Sequence, residues 1–285
     1  MHDSELTVSL LIPIRIFRHL FSLVALSLII TYGSCSHAQP NTQKSPADTK
    51  QPTPEQAELK PFIATYMVTS MGLEGINITN SLSLNNTHDR LQRFEYHFKS
   101  YAMSVGLLAF QKDETRDEQS QGFIVKNFIK PEKYNFLQTL DNEIQRDVNI
   151  TFDWETKTAV NAHKQQNSRW KMSIPDKTMD KLSYQLALML KLANNPKNQF
   201  TFSIADGGRV KDYQFKLLGE ERVYTSLGSY KSIKIEHLRY QKNKKITLWC
   251  APELNYLPVK IVQEETGKPD IQSTLISYQE GLSAQ

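Results

Sequence analysis

The stretch DKTMDKLSYQLALMLKLAN, residues Asp176–Asn194, decides the fold. Its apolar residues recur at helical spacing and fall on nearly every side of the helix they predict. A helix that is apolar nearly all round must be buried on several sides. We therefore predict one buried helix over Asp176–Asn194, with Asp176 or Asp180 as the acceptor at its start and Asn194-Asn195-Pro196 as its end.

The chain around this helix has the period-two patterning of β-strands. Phe62–Val68 is rich in β-branched and aromatic residues, and in Leu91–Met103 the aromatic residues Phe94, Tyr96 and Phe98 share one face. Asp206-Gly207-Gly208 is typical of a tight hairpin turn, because glycine tolerates positive φ. Regularly spaced turns indicate an antiparallel meander. The predicted fold is mostly β: a curved antiparallel sheet or open β-barrel wrapped around one apolar α-helix.

The stretch KITLWCAPELNYLPV, residues Lys245–Val259, suggests a catalytic cysteine in a loop, but its pattern favours a hairpin. Apolar alternation precedes and follows Ala251–Tyr256, a connection of ordinary hairpin length. Pro252 and Pro258 are expected just outside the ladder, where no backbone donor is needed. Cys250 is then expected on the apolar face at a strand end, as an inert buried thiol.

The N-terminus has the pattern of a secretory signal, which we assign to residues 1–38. An apolar run, Leu20–Gly33, follows Arg15 and Arg18 and precedes the small-residue segment Ser34–Ala38. Cleavage after Ala38 would give a soluble periplasmic protein, which is the preferred interpretation. Lipidation of Cys35 is the alternative, and it would give a membrane-anchored lipoprotein.

Residues 39–60 contain four prolines and no aromatic residue. Such a segment buries too little apolar surface to order itself. We predict a disordered linker over 39–60 and a single β-rich domain over 61–282.

Charge and cysteine content exclude several classes of function. The chain carries a net charge of +4, and this value is unchanged without residues 1–38, which hold two basic and two acidic residues. The charges are well mixed, unlike the clustered basic face of a nucleic-acid-binding protein. After the signal, Cys250 is the single cysteine, which excludes an internal disulfide and Cys-rich metal sites. We expect no cofactor, no metal site and no nucleic-acid partner.

No pattern in the sequence indicates a catalytic site. Gly-x-Ser-x-Gly is absent, and Ser183 lies within the predicted helix. Cys250 has no local motif that pairs it with a histidine. The acidic run Asp113–Glu118 lacks the glycine turn of calcium loops, so we predict a solvated loop there. No catalytic residue is expected.

Two motifs carry a resemblance to a known family. Leu182-Ser183-Tyr184-Gln185 and Trp249-Cys250-Ala251-Pro252-Glu253-Leu254-Asn255-Tyr256-Leu257-Pro258 are similar to segments of a bacterial envelope family, domain of unknown function 3108. The likeness runs from about Leu59 to Glu280. It implies an exported, mostly β protein without an established activity, and it supplies no catalytic or binding residues. Cys250 stands where the family commonly has a small apolar residue, which argues against catalysis by this thiol.

The leading functional expectation is a non-enzymatic Gram-negative envelope protein that binds a lipid-like or acyl ligand in a β-concavity. The expected ligand-binding residues are Tyr184, Leu188, Leu192 and Trp249. Two alternatives stay open: an assembly factor that acts through protein contacts, and an envelope hydrolase that uses Ser183 or Cys250.

The expected partner is a lipid or a lipoprotein. The basic stretch Arg239–Lys245 is either a membrane-surface contact, attracted to anionic lipid, or a lysine-rich hairpin turn. The sequence sets no oligomeric state.

Overall fold

The computed structural model describes residues 59–87, 93–111, 113–194, 198–238 and 243–281. Within these ranges the chain forms fifteen strands, two α-helices and a short 3-10 helix. The strands are β1 (Phe62–Ser70), β2 (Leu73–Asn86), β3 (Phe94–Ser104), β4 (Glu114–Val125), β5 (Phe128–Leu140), β6 (Glu143–Asp153), β7 (Thr158–His163), β8 (Ser168–Ser173), β9 (Met179–Asp180), β10 (Gln199–Asp206), β11 (Arg209–Thr225), β12 (Gly228–Leu238), β13 (Lys244–Ala251), β14 (Leu257–Glu265) and β15 (Ile271–Glu280). The helices are α1 (Gly106–Gln111), α2 (Tyr184–Ala193) and the 3-10 helix Pro252–Leu254.

All fifteen strands belong to one sheet, built from two antiparallel meanders. Its order is β8-β7-β6-β5-β4-β3-β2-β1-β15-β14-β13-β12-β11-β10-β9. The meanders join where β1 pairs with β15, from Phe62 opposite Glu280 to Ser70 opposite Ile271. The short β9 pairs in parallel with β10. The edge strands β8 and β9 do not pair with each other, so the sheet is unclosed, and the predicted fold class is confirmed.

The sheet curves strongly around α2. Nine consecutive strands, from β4 through β1 and β15 to β11, contribute residues to the lining of one interior cavity of about 150 Å³. Strands lie about 4.8 Å apart, so a flat array of nine would be roughly 40 Å wide and could not surround so small a space. The concave face therefore encloses both the cavity and the apolar helix.

The two edges of the sheet approach each other at a junction that we name the seam, formed by Trp170 of β8 against Gly207-Gly208 between β10 and β11. The indole Nε1 of Trp170 donates a hydrogen bond to the Gly208 carbonyl at 3.3 Å. Gly208 has φ +79, and a Cβ added there would lie 2.1 Å from Trp170 Nε1. A side chain at this position would collide with the indole, so only glycine fits.

The buried helix is shorter than the sequence indicated. The prediction of helix over all of Asp176–Asn194 is wrong for its first eight residues: α2 begins at Tyr184, and Met179–Asp180 forms β9 instead. The Asp180 carboxylate accepts the backbone N–H groups of Leu182 at 2.8 Å and Ser183 at 2.7 Å. These bonds fix a turn before the first helical residue, so Asp180 is the acceptor at the helix start, as one of the two predicted options.

One further expectation requires correction. The acidic run Asp113–Glu118 is not a solvated loop; it leads into β4, with Arg116 and Glu118 buried. A two-residue hairpin turn at Lys126-Asn127, both with positive φ, separates β4 from β5. The helix α1 was not predicted.

The N-terminal boundary of the domain lies before Pro61. Leu59 is buried in the core, and Lys60 Nζ lies 2.6 Å from Glu280 Oε1. The last two residues assigned to the disordered linker are therefore part of the fold. The signal, Cys35 and linker residues 39–58 lie outside the described residues.

The predicted hairpin at Lys245–Val259 is confirmed: β13 and β14 pair on either side of the 3-10 helix. Asn255 and Tyr256 adopt positive φ in the connection. Pro258, expected outside the ladder, instead lies within β14 opposite Cys250. The register shifts between Trp249 and Cys250, and such a bulge accommodates a proline that cannot donate to the ladder.

Candidate ligand-binding site

The interior cavity lies between α2 and the concave face of the sheet, and its lining is divided by polarity. One side is apolar, since Leu188 of α2 belongs to one apolar cluster with Ile246 and Leu248 of β13. The other side is polar, with Asn80 of β2, Glu118 of β4 and Lys181 before α2. The cavity therefore suits a small ligand that has an apolar body and a polar end.

Strand and helix periodicity explain why these side chains meet. Ile246 and Leu248 are two residues apart on β13, so both point to the same face. Tyr184 and Leu188 are four residues apart on α2, so they lie one above the other on the side that borders the cavity. The sequence thus places two apolar pairs opposite each other across the cavity.

Asn80 contributes an unsatisfied acceptor to the cavity. Its side-chain Oδ1 is buried and has no hydrogen-bond partner among the described residues. A buried polar atom without a partner costs about 1–3 kcal/mol. A ligand hydroxyl or amide N–H would relieve this cost, so Asn80 favours a ligand with a hydrogen-bond donor.

A buried ionic cluster borders the polar side. Lys181 Nζ lies 3.8 Å from the Asp206 carboxylate, which also accepts from Lys211 at 2.7 Å and from the Tyr213 hydroxyl at 3.3 Å. The Tyr134 hydroxyl donates to Glu118. Buried charges persist only when they are paired or hydrogen-bonded, and this cluster supplies those partners.

Burial moves Glu118 and Lys181 toward their neutral forms. Desolvation raises the pKa of the Glu118 carboxyl, although Lys181 and the Tyr134 hydroxyl oppose the shift. Desolvation lowers the pKa of the Lys181 ammonium, although Glu118 and Asp206 oppose that shift. The two groups therefore bind protons as a coupled pair at the cavity wall.

We expect the free energy of unfolding to fall between pH 5 and pH 7 because Glu118 ionises at a cost. A carboxyl whose folded-state pKa is raised contributes stability that is complete below its ordinary pKa, near 4, and is lost as pH rises through the folded pKa. Urea denaturation at both pH values should show Glu118→Gln to be less pH-dependent than the wild type by about 1 kcal/mol. Glu95→Gln, on the exposed side of β3, is the matched control. An unchanged pH dependence in Glu118→Gln would contradict this assignment.

Of the four residues predicted to bind ligand, two line the cavity and two do not. Tyr184 and Leu188 line the cavity. Leu192 is fully buried beside Phe200 and Phe215 in the neighbouring apolar cluster and is not part of the lining. Trp249 lies on the opposite side of β13 from Leu248, outside the cavity.

Lysine side chains cover the Trp249 ring. Lys234 Nζ lies 5.1 Å and Lys260 Nζ 5.2 Å from the ring centroid, within the range of cation–π attraction. Both lysines are its partners on the flanking strands. The geometry gives Trp249 a packing position on the other face of the sheet.

Among the cavity residues that sequence reasoning missed are three polar ones, Asn80, Glu118 and Lys181. Glu118 is part of an alternation with Arg116 and Ser120, the period-two signal of a strand whose polar side chains face inward. This signal was available but the acidic composition of the run obscured it. Lys181 was hidden because the preceding turn was read as helix.

The two nucleophile candidates are buried. Ser183 is fully buried, and its Oγ accepts the Asp180 backbone N–H at 3.1 Å. Cys250 is also fully buried, and desolvation raises the pKa of its thiol, which disfavours the nucleophilic thiolate. Across the described ranges, no three His, Cys, Asp or Glu side chains converge as a metal ligand set.

Neither described helix has the length and apolar character needed to cross a lipid bilayer. Part of the basic stretch, residues 239–242, lies outside the described residues. Lys244 and Lys245 lie in β13 and form ion pairs with Glu265 at 3.2 Å and Glu264 at 3.4 Å. These pairs reduce the positive charge that the stretch could present to an anionic surface.

Structural comparison supports the fold. The chain aligns with the β-barrel-like protein of domain of unknown function DUF1849 from Brucella abortus at a TM-score of 0.51 and 13% identity, covering 79% of this chain and 99% of that one. A candidate lipoprotein from Parabacteroides distasonis aligns at a TM-score of 0.35 and 9% identity, over 78% of this chain and 96% of that one. A candidate exported protein with a YmcC-like fold from Bacteroides fragilis aligns at 0.34 and 12%, over 78% and 96%.

Sequence comparison gives the family. No curated protein matches the chain in sequence. The family model "Protein of unknown function (DUF3108)" matches residues 65–268, which include α2 and all the cavity-lining residues except Ser273 of β15. The match covers well over half of the chain and confirms the resemblance carried by the Leu182–Gln185 and Trp249–Pro258 motifs, so this protein belongs to the DUF3108 family.

Proposed function

We propose that this protein is a non-enzymatic protein of the bacterial envelope that binds an amphipathic, acyl-bearing ligand in the cavity beside α2. The observation that carries the proposal is the divided lining: Leu188, Ile246 and Leu248 on one side, and the unsatisfied Asn80 Oδ1 on the other. The apolar side suits a hydrocarbon chain, and the Asn80 acceptor suits a hydroxyl or amide donor.

The size of the cavity limits the part of the ligand that it holds. A cavity of about 150 Å³ is comparable to the engineered apolar cavities that admit benzene. It therefore holds about six carbon atoms, which is one segment of a longer acyl chain. The remainder of such a chain would need to leave the cavity.

An exported location is part of this proposal. The apolar run Leu20–Gly33, flanked by basic and small residues, supports export through a secretory signal. Cleavage after Ala38 would release a periplasmic protein, whereas lipidation of Cys35 would hold it at a membrane. A hydrophobic ligand has low solubility in the aqueous periplasm, which gives a binding protein there a physical purpose.

The proposal is tested with 1-hexanol and methyl pentyl ether, which have equal numbers of heavy atoms but differ in the hydroxyl donor. We expect saturable binding of 1-hexanol to the full-length protein by ligand-observed NMR. Leu188→Trp should weaken binding at least tenfold, because the larger side chain fills the apolar side. Leu227→Trp makes the same change at an exposed leucine between β11 and β12 and should leave affinity within twofold.

The role of Asn80 has its own readout. Asn80→Ala should reduce affinity for 1-hexanol several-fold and leave affinity for the ether unchanged, because only the alcohol donates to Oδ1. Equal binding by wild type and Leu188→Trp, or no saturable binding of either compound, would sink the proposed function.

Exposed apolar residues on α1 support the alternative of an assembly factor. Phe110 is 91% exposed and Leu107 is 65% exposed, and exposed large apolar side chains in one place mark contact surfaces. Photo-crosslinking from position 110 in cells separates the two functions: a stoichiometric protein partner would favour assembly over ligand binding.

A further inference from the structure

A second cavity, of about 450 Å³ and open toward the surface, lies at the seam beside Trp170 and Gly208. No residue lines both this cavity and the cavity beside α2. The Phe136 ring is close to one cation from each lining, with Arg146 at 5.3 Å and Lys181 at 5.5 Å from its centroid. The seam cavity is therefore a separate compartment, and a ligand there would not depend on the proposed acyl site.

Unsatisfied polar atoms cluster at this compartment. Asn161 is 1% exposed, lines the cavity, and its Nδ2 has no hydrogen-bond partner in the described part of the chain. The Nδ1 atom of His163, which also lines the cavity, is buried without a partner, as is the Oγ atom of Ser168, which lies outside the lining. In the β7–β8 ladder Asn161 is opposite Trp170 and His163 is opposite Ser168, so strand alternation places all four side chains on one face.

Buried polar atoms without partners beside one cavity favour a ligand that supplies those partners. Each buried polar atom without a partner carries a desolvation cost of about 1–3 kcal/mol, and native proteins rarely leave such atoms unpaired. Two of these atoms, on Asn161 and His163, belong to residues that line the cavity, and both would gain a partner if a polar group occupied it.

The charge of the lining selects an anion. Arg146 is the one formally charged side chain among the described residues that line the cavity, and no carboxylate lines it. Gln165 Oε1 already accepts the Asp147 backbone N–H at 2.6 Å, which leaves the amide N–H groups of Gln165 as its remaining donors. The nearby Asp147 carboxylate is neutralised by Lys164 at 3.0 Å.

We infer that the seam cavity binds a phosphate group, either free phosphate or the phosphate of an ester such as a lipid headgroup. The Arg146 guanidinium offers a planar fork that matches phosphate oxygens. Asn161 Nδ2 offers a buried donor from β7, and His163 adds a ring N–H in the tautomer that carries its hydrogen on Nδ1. A tetrahedral anion can accept from all these groups because its oxygens point in different directions.

The test uses isothermal titration of the full-length protein at low ionic strength with three probes: inorganic phosphate, glycerol 3-phosphate and dispersed dihexanoyl phosphatidic acid. Saturable binding of any probe is expected. Binding of inorganic phosphate identifies free phosphate as sufficient, and binding confined to phosphatidic acid identifies a lipid headgroup as the source.

Two matched arginine variants separate a built site from general attraction. Arg146→Gln should weaken binding at least tenfold, because it removes the charge that lines the cavity. Arg169→Gln removes the same charge from the exposed neighbour of Trp170 on β8, and should leave binding within twofold. Arg146→Lys should restore part of the affinity, since it keeps the charge and loses the fork.

Asn161→Ala provides a second measurement that leaves net charge unchanged and should weaken binding at least threefold. The inference is overturned if no probe binds saturably, because the cavity would then hold water alone. Equal weakening by Arg146→Gln and Arg169→Gln would also overturn it, since binding would then be non-specific electrostatic attraction.

Discussion

Asp180→Ala is expected to lower the free energy of unfolding by about 4 kcal/mol, because removing one partner of a buried ionic and hydrogen-bonded group leaves the others unsatisfied. The Asp180 carboxylate is fully buried and accepts three hydrogen bonds: from Ser120 Oγ at 2.6 Å and from the backbone N–H groups of Leu182 and Ser183. Alanine would leave all three donors buried without an acceptor.

Equilibrium urea denaturation measures the effect, and Asp176→Ala is the control. Asp176 is 71% exposed at its side chain and pairs with Lys157 at the surface, where ion pairs contribute little. Its loss should cost less than about 0.5 kcal/mol. Asp180→Asn, which keeps one acceptor oxygen, should fall between the two alanine variants. A loss below about 1 kcal/mol in Asp180→Ala would show that the three bonds do not hold the turn.

Asp180 connects the fold to the candidate site. It joins β9, at one edge of the sheet, to Ser120 of β4 in the other meander, and Ser120 continues to the Tyr96 hydroxyl at 2.9 Å. The same turn presents Lys181 to the cavity. Loss of Asp180 should therefore disturb ligand binding together with stability, whereas loss of Asn80 should disturb binding alone.

The curved sheet could be predicted because a helix that is apolar on nearly every side needs a surface that surrounds it. Leu186, Leu188, Met189, Leu190 and Leu192 are all buried in α2, and a single surface cannot bury so many sides of one helix. The start of the helix could not be placed from periodicity, since Met179 and Leu182 fit the apolar stripe. The helix start is set by the backbone N–H groups that donate to the Asp180 carboxylate, because these hydrogen bonds compete with a helical first turn.

The acidic run at the start of β4 shows where composition misleads. Charge density suggested a loop, but Arg116 and Glu118 alternate with outward-facing residues and point inward. Arg116 pairs with Glu114 two residues away, but Glu114 also accepts from Gln138 and Glu118 accepts from Tyr134, and both of these donors lie on β5. Local reasoning cannot supply these partners, so a buried strand with charged residues resembles a solvated segment.

The candidate site was predictable to the same extent as the helix. Tyr184 and Leu188 follow from the apolar stripe of α2, whereas Asn80 carries no local sign that distinguishes it from other strand asparagines. Its importance arises from the sheet register, which sets it between Ala64 and Ser100 in the middle of the concave face. Register over nine strands is a tertiary property.

Gly122→Ala is expected to cost at least about 3 kcal/mol, the upper range for overpacking a closed interior. A Cβ at Gly122 would lie 2.3 Å from the Lys130 carbonyl oxygen and 2.7 Å from the Pro131 Cα. Both atoms belong to the backbone of β5, which cannot move aside as a flexible side chain could. The pairing register shifts between Gln121 and Gly122, so the glycine permits the close approach of the two strands at this bulge.

Gly72→Ala separates collision from backbone strain. Gly72 has φ +77 and open space around the position of a Cβ, so alanine there should cost only the left-handed penalty of about 1–2 kcal/mol. Gly122 has no positive φ, so its cost arises from the collision. Urea denaturation could show that Gly122→Ala lowers the free energy of unfolding no more than Gly72→Ala does. In that case the backbone of β5 must move to make room for the Cβ at little cost. The bulge would then not fix the direction in which β4 presents Ser120 to Asp180 and Glu118 to the cavity.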